Sequence, residues 1–166
     1  MSTSLTLVRR IRARPAIVFD ALTTADGVGA WWGPDDLPVV VAEVDARVGG
    51  VFRVRFKTLN GQEHEVHGEY LEVVPPRRIA MTWRWVFGGE PEEHGRVSRI
   101  ECDLAPMAGG TELTFTHADL KNDVSLASHT HGWMGSMVKL AAWLGDGNPS
   151  RPYLPRAGEG VNREGV

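Results

Sequence analysis

The sequence predicts an α+β fold: a curved antiparallel sheet of about seven strands wrapped around a long C-terminal helix, with two short helices after strand 1. Seven segments alternate in polarity or are rich in β-branched residues, and Gly or Pro turns separate most of them. Near the C-terminus an apolar stripe at helical spacing predicts the long helix. The six tryptophans fall into three groups: Trp31 and Trp32 at the end of a short helix, Trp83 and Trp85 in a strand, and Trp133 and Trp143 in the long helix. This distribution suggests aromatic walls around one interior space.

Local patterns define the elements in chain order. Residues 5–13 alternate and predict the first strand. Pro15 suits the first turn of a helix that ends near Thr24, and a second short helix follows at 26–32, stopped by Gly33-Pro34. The remaining strands are predicted at 39–44, 51–57, 62–74, 78–87, 97–104 and 111–117. The long helix is predicted at 122–144, ending at Gly145, with Trp133, Met137, Leu140 and Leu144 on its buried face.

Length and composition indicate one domain. A chain of 166 residues fits a single core, which we assign to residues 5–145. The tail, residues 146–166, is rich in Gly, Pro, Arg and Glu without periodicity, so we expect it to be poorly ordered or only locally packed. Monomer and homodimer both remain open.

Charge and hydropathy argue against several classes of partner. The net charge is −3 with both signs interspersed, so a nucleic-acid partner is not expected. No segment has the length and apolarity of a membrane span or signal peptide, so membrane insertion is not expected and the expected location is cytoplasmic. Cys102 alternates with apolar neighbours and is expected to be an inert buried thiol.

One long helix cannot fill the trough of a seven-stranded sheet. We therefore expect a cavity between helix and sheet, with the short helices at its mouth and all three tryptophan groups around it. The alternative, a solid hydrophobic core, stays open at this point.

Several motifs together resemble one superfamily. They are Trp31-Trp32-Gly33-Pro34, Gly49-Gly50-x-Phe52-Arg53, residues 68–76 with Thr82-Trp83, and His129-x-x-Gly132-Trp133. With the order of elements, they make residues 5–144 similar to the SRPBCC (START-related) superfamily. The nearest branch is the one named for the carboxy-terminal domain of the activator of the heat-shock-protein-90 ATPase. The resemblance implies a helix-grip fold around a hydrophobic cavity and says little about chemistry.

The Asn60-Gly61 hairpin decides which polar residues enter that cavity. A two-residue turn would place Glu65, His67 and Glu69 opposite Phe56, Val54 and Phe52, all facing inward. A register slip of one residue would instead place Val66 and Tyr70 beside the phenylalanines. The sequence leaves both registers open.

Chemically active residues are few. No Walker loop, dinucleotide fingerprint or nucleophile elbow occurs, so no cofactor is expected, and the histidine spacings do not predict a metal site. We expect the cavity to bind or carry a small hydrophobic or aromatic molecule. A cyclase- or hydrolase-like enzyme using Glu69 and His129 is the alternative, and a chaperone-interaction module is a more distant third. The expected ligand-contacting residues are Trp31, Trp32, Phe52, Val54, Phe56, His67, Glu69, Met81, Trp83, Trp85, His129, Trp133 and Met137.

Overall fold

The structure is a computed structural model that describes residues 3–35, 37 and 39–144. The predicted stop of the long helix at Gly145 and the tail at 146–166 lie outside these residues. The strands are β1 (Thr3–Ile11), β2 (Val41–Val44), β3 (Val51–Lys57), β4 (Glu63–Val74), β5 (Arg78–Phe87), β6 (Ser98–Met107) and β7 (Gly110–Leu120). The helices are α1 (Pro15–Thr23), α2 (Ala25–Trp31) and α3 (Asp123–Leu144), with a short 3₁₀ helix at Pro91–Glu93.

All seven strands form one antiparallel sheet in the order β1-β7-β6-β5-β4-β3-β2. From β2 to β7, strands that are consecutive in sequence pair with each other, and β1 pairs with β7. The two short helices carry the chain from β1 at one edge to β2 at the other. The predicted α+β fold, with a curved sheet and a long C-terminal helix, is confirmed.

Helix α3 presents its apolar stripe to the sheet. Trp133, Met137, Leu140 and Leu144 are all at most 5% exposed. Before the first turn, the Asn122 side-chain oxygen accepts a hydrogen bond from the Ser125 N–H at 3.0 Å and so caps the helix. The cap and the buried stripe fix where α3 begins and which of its faces lies over the sheet.

The hairpin between β3 and β4 has a three-residue loop, so the tight register is wrong. The Thr58 N–H donates to the Gln62 carbonyl, and Gly61 has a φ of 82°, which a left-handed loop position requires. The extra loop residue pairs Phe56 with His64, Val54 with Val66 and Phe52 with Gly68. The structure therefore has the second of the two registers left open by the sequence, the one shifted by one residue.

This register puts a charged cluster on the outer face of the sheet. Glu65 lies opposite Arg55 and accepts hydrogen bonds from Arg55 at 2.9 Å and Arg53 at 3.3 Å. The His67 ring nitrogen Nε2 lies 2.9 Å from the second Glu65 oxygen. Although burial opposes it, the hydrogen bonds from Arg55, His67 and Arg53 lower the pKa of Glu65. Glu69 is exposed on the same face.

Two further predictions concern single features. Cys102 is 1% exposed, and burial raises the pKa of its thiol, as expected for an inert core position. Within the described part of the chain, no helix is both long and apolar enough to cross a membrane.

Candidate functional site

A pocket of about 190 Å³ opens between α3, strands β3 to β5 and the loop that follows α2. Its walls are predominantly apolar and aromatic. Among the described residues, no Lys or Arg lines the pocket, and Glu90 is the one acidic residue that does. The lining residues are Trp32, Gly33, Pro34, Phe56, Thr58, His64, Trp83, Trp85, Gly89, Glu90, Ser128, His129, His131, Gly132, Trp133 and Ser136.

Tryptophans from all three sequence groups meet at this pocket. The Trp32 ring stacks on Trp83 with centroids 5.5 Å apart, and meets Trp133 edge-on at 5.1 Å. Trp83 lies 5.1 Å from Trp133 and 5.3 Å from Trp85. The predicted convergence on one interior space is therefore present, beside a densely buried apolar core.

The loop after α2 is fastened to α3, which fixes Trp32 at the mouth. The Lys139 ammonium donates to the carbonyls of Trp32 and Asp35, both at 2.8 Å. Gly135 allows the close approach, since a Cβ there would lie 2.5 Å from the Pro34 carbonyl oxygen. Gly132, one turn earlier, has open space where a Cβ would point.

His129, on α3, is held as a neutral imidazole. The Trp85 indole N–H donates to its Nε2 at 3.1 Å, so the ring proton is on Nδ1. That N–H donates to the Ser125 carbonyl at 2.8 Å. Burial lowers the pKa of His129, while the Ser125 carbonyl and the carboxylates of Glu93 and Glu90 oppose that effect.

His117, on β7 behind the pocket wall, follows the same pattern. The Trp133 indole N–H donates to Nδ1 at 3.0 Å, so Nε2 carries the proton and donates to the Ser98 hydroxyl oxygen at 2.7 Å. Burial, and to a smaller extent the neighbouring His129, hold its pKa well below the ordinary value. The rings of His117 and His129 meet edge to face at 4.8 Å.

His64 is the third buried imidazole, and it faces the pocket from β4. The Gly89 N–H donates to its Nδ1 at 2.6 Å, and its Nε2 lies 3.1 Å from the Thr58 hydroxyl. Burial lowers its pKa. In each of the three buried histidines a protein N–H therefore occupies the lone pair that would otherwise take up a proton.

A buried carboxylate supports the pocket from behind His129. Glu93, in the 3₁₀ helix, is 2% exposed, and one of its oxygens accepts from the Ser125 hydroxyl at 2.6 Å and from the Lys121 N–H at 2.8 Å. The Ser125 hydroxyl oxygen lies 3.3 Å from His129 Nδ1. A chain of polar contacts thus runs from Glu93 through Ser125 and His129 to Trp85.

The structure separates the sequence-predicted contact residues into three sets. Those that line the pocket are Trp32, Phe56, Trp83, Trp85, His129 and Trp133. A second set is buried in the surrounding core without lining it: Trp31, Phe52, Val54, Met81 and Met137. His67 and Glu69 lie on the opposite face of the sheet, because the three-residue hairpin loop reverses their side. The proposed Glu69–His129 acid-base pair is therefore not assembled.

Several residues of the site did not stand out in the sequence. His64 would have been found from the slipped register, which turns it inward. Glu93 sits in an acidic run that is typical of an exposed loop, and only its contacts with α3 reveal that it is buried. Ser136 follows Trp133 by three residues, the spacing of one helical face, which was the available signal.

Among the described residues, no group of three or more His, Cys, Asp or Glu side chains is placed to hold a metal ion. The buried imidazoles are committed to protein partners.

Comparisons with known proteins agree with this architecture. The family model described as Activator of Hsp90 ATPase homolog 1-like protein matches residues 12–145. A protein from Chromobacterium violaceum is 31% identical with a TM-score of 0.74, over 84% of this chain and 94% of that one. The AHSA1 protein from Silicibacter pomeroyi is 29% identical with a TM-score of 0.72, over 84% and 96%.

More distant structures share the fold alone. An AHSA1-like protein from Aeromonas hydrophila is 17% identical with a TM-score of 0.66, over 84% of this chain and 90% of that one. No curated protein matches the chain.

Proposed function

This chain belongs to the Activator of Hsp90 ATPase homolog 1-like family, within the SRPBCC superfamily, and from that premise we propose that it binds or carries a small hydrophobic or aromatic molecule in the pocket between α3 and the sheet. The fold of this family generally carries hydrophobic ligands.

One observation carries the proposal: four tryptophans and Phe56 line the pocket, and its buried histidines are neutral. Apolar walls with a few placed polar groups are typical of small-molecule sites. Three of the polar groups, His64, His129 and Trp85, are already satisfied by protein partners, so a ligand gains mainly from contact with aromatic surface.

The pocket volume limits the size of the ligand. At about 190 Å³ the pocket is somewhat larger than an engineered apolar cavity of ~150 Å³ that binds benzene. Drug-sized ligands occupy pockets of roughly 300–1,000 Å³. We therefore expect a molecule of one or two rings, or an aliphatic molecule of similar volume.

A variant that fills the pocket tests this proposal. Gly132 lines the pocket and its Cβ position is open, so Gly132→Leu should occupy the space that a ligand needs. Titration calorimetry with acetophenone should show an affinity at least about tenfold lower than that of wild type, the effect of losing ~1.4 kcal/mol. Gly29→Leu is the matched control, because Gly29 is an exposed helical glycine with open space and does not line the pocket. Unchanged affinity in Gly132→Leu would contradict binding at this site.

A catalytic role is the second candidate, and the chain from Glu93 through Ser125 to His129 favours it. In enzymes that use a histidine as general base, a neighbouring group holds the ring by a hydrogen bond to Nδ1. Against this role, Trp85 occupies the Nε2 lone pair that would accept a proton. Hydrolysis of phenyl acetate that falls by about 10²–10⁴ in His129→Gln, with acetophenone affinity unchanged, would favour the enzyme.

A further inference from the structure

We propose that the hydroxyl of Ser136 is the ligand-anchoring group of the pocket, and that the ligand is an uncharged molecule with a hydrogen-bonding oxygen. This inference rests on the proposed function and specifies the chemistry of the ligand.

Among the buried polar and charged residues that the structure describes, Ser136 is the one whose side chain makes no hydrogen bond within the protein. The buried polar residues are His64, Glu65, Glu93, Ser98, Thr111, His117, Ser125, His129 and Ser136. The first eight each make at least one hydrogen bond within the protein. Ser136 is 3% exposed and makes none to a described residue. A buried hydroxyl without a partner is unfavourable for folding, so one that lines a pocket needs an explanation.

The position of the hydroxyl supplies that explanation. Within the described part of the chain, the fully enclosed side-chain atoms without a hydrogen-bond partner are Tyr70 Oη, Trp83 Nε1 and Glu93 Oε1. Ser136 Oγ also lacks a partner but is not among them, so it keeps contact with open space. Because Ser136 lines the pocket on the same helical face as Trp133, that open space is the pocket. A bound oxygen there would satisfy the hydroxyl while aromatic walls cover the rest of the ligand.

The charge around the pocket selects an uncharged partner. In the part of the chain that the structure describes, Glu90 is the one acidic lining residue, and no Lys or Arg lines the pocket to pair with an anion. The His64 and His129 imidazoles cannot take up a proton without losing the hydrogen bonds from Gly89 and Trp85. The third lining histidine, His131, is exposed to solvent. A carboxylate buried among the described lining residues would therefore be desolvated without a buried counter-charge, whereas a carbonyl or hydroxyl group needs a single hydrogen bond.

Three one-ring probes separate these chemistries in the full-length protein. Acetophenone carries a carbonyl oxygen, α-methylstyrene has the same shape with a methylene group in its place, and benzoate is the anion. Calorimetry gives the ratio of the acetophenone affinity to the α-methylstyrene affinity. This ratio should be about two- to tenfold larger in wild type than in Ser136→Ala, the effect of one hydrogen bond. Benzoate should bind more weakly than acetophenone to wild type.

Thr130→Val is the matched control. It removes a hydroxyl from the same helix, but this one donates to the Leu126 carbonyl at 2.7 Å and lies outside the pocket. The affinity ratio should stay at the wild-type value. Ser136→Ala should also unfold at an equal or higher urea concentration than wild type, because it removes an unpaired buried hydroxyl and improves helix propensity.

The outcomes distinguish the two proposals. If both neutral probes bind and their ratio is the same in Ser136→Ala and wild type, the anchoring role is wrong and the proposed function stands. A ratio that falls in Ser128→Ala, at the pocket rim, and not in Ser136→Ala would also overturn it. If neither neutral probe binds to wild type, the proposed function fails and the anchoring role fails with it. Tighter binding of benzoate than of acetophenone would overturn the uncharged ligand class.

Discussion

The Trp85 indole N–H donates to Nε2 of His129 at 3.1 Å, which fixes both the tautomer of the imidazole and the angle of the indole at the pocket wall. The hydrogen bond joins β5 to α3 across the pocket. It also makes protonation of His129 compete with a contact that positions an aromatic wall.

Trp85→Phe should raise the pKa of His129. The substitution removes the donor that stabilises the neutral ring, so the pKa, lowered by burial, should move towards the ordinary value of about 6.5. An NMR titration of the imidazole carbon-bound protons measures this change. His117 is the internal control, because its own donor is Trp133. An unchanged or lower His129 pKa would contradict the assigned hydrogen-bond direction.

Acidification should destabilise the fold between about pH 6.5 and 5. Burial lowers the pKa values of His64, His117 and His129 in the folded state, so the unfolded chain binds more protons below the ordinary histidine pKa of about 6.5. The free energy of unfolding should therefore fall with pH, by at most about 1.4 kcal/mol per pH unit for each imidazole. Because the pKa of Glu65 is lowered in the folded state, the stability that this carboxylate contributes is lost only below about pH 4.5.

Urea denaturation at a series of pH values measures this dependence. The control is His131→Gln, which replaces an exposed histidine and should keep the same slope. A free energy of unfolding that stays constant from pH 6.5 to 5 would show that the three buried rings are not held neutral.

Trp133→Ala should destabilise the protein by about 3–5 kcal/mol, the usual cost of truncating a large buried aromatic residue. Trp133 is 5% exposed, and its ring centroid lies 4.4 Å from that of Phe115. Its indole N–H donates to His117, which would lose this hydrogen bond. Val138→Ala, on the exposed face of the same helix, should change the free energy of unfolding by less than about 0.5 kcal/mol. Equal denaturation midpoints for the two variants would contradict the placement of α3 over the sheet.

The hairpin register can be tested with two glutamates on β4. Glu65→Ala should cost about 1–3 kcal/mol, because Glu65 is 4% exposed and its loss leaves Arg53 and Arg55 without their shared acceptor. Glu69→Ala should change stability by less than about 0.5 kcal/mol, since Glu69 is exposed. A larger effect at Glu69 than at Glu65, measured by chemical denaturation, would favour the tight two-residue turn.

The sequence by itself determined the order of elements, the apolar stripe of α3 and the inward orientation of Trp83 and Trp133. These features depend on local periodicity: an alternating strand or a helical stripe has one buried face whatever it packs against. Trp83 and Trp133 could therefore be assigned to the interior from their spacing alone.

The tertiary structure decided the chemistry of the pocket. One additional residue in the hairpin loop turned His64 inward and His67 outward, a choice that loop geometry makes and strand periodicity cannot. The tautomers of His117 and His129 depend on indole donors 16 and 44 residues away in sequence. The unpaired state of the Ser136 hydroxyl likewise depends on which groups surround it in three dimensions, because hydrogen-bond satisfaction is a property of the folded environment and not of residue type.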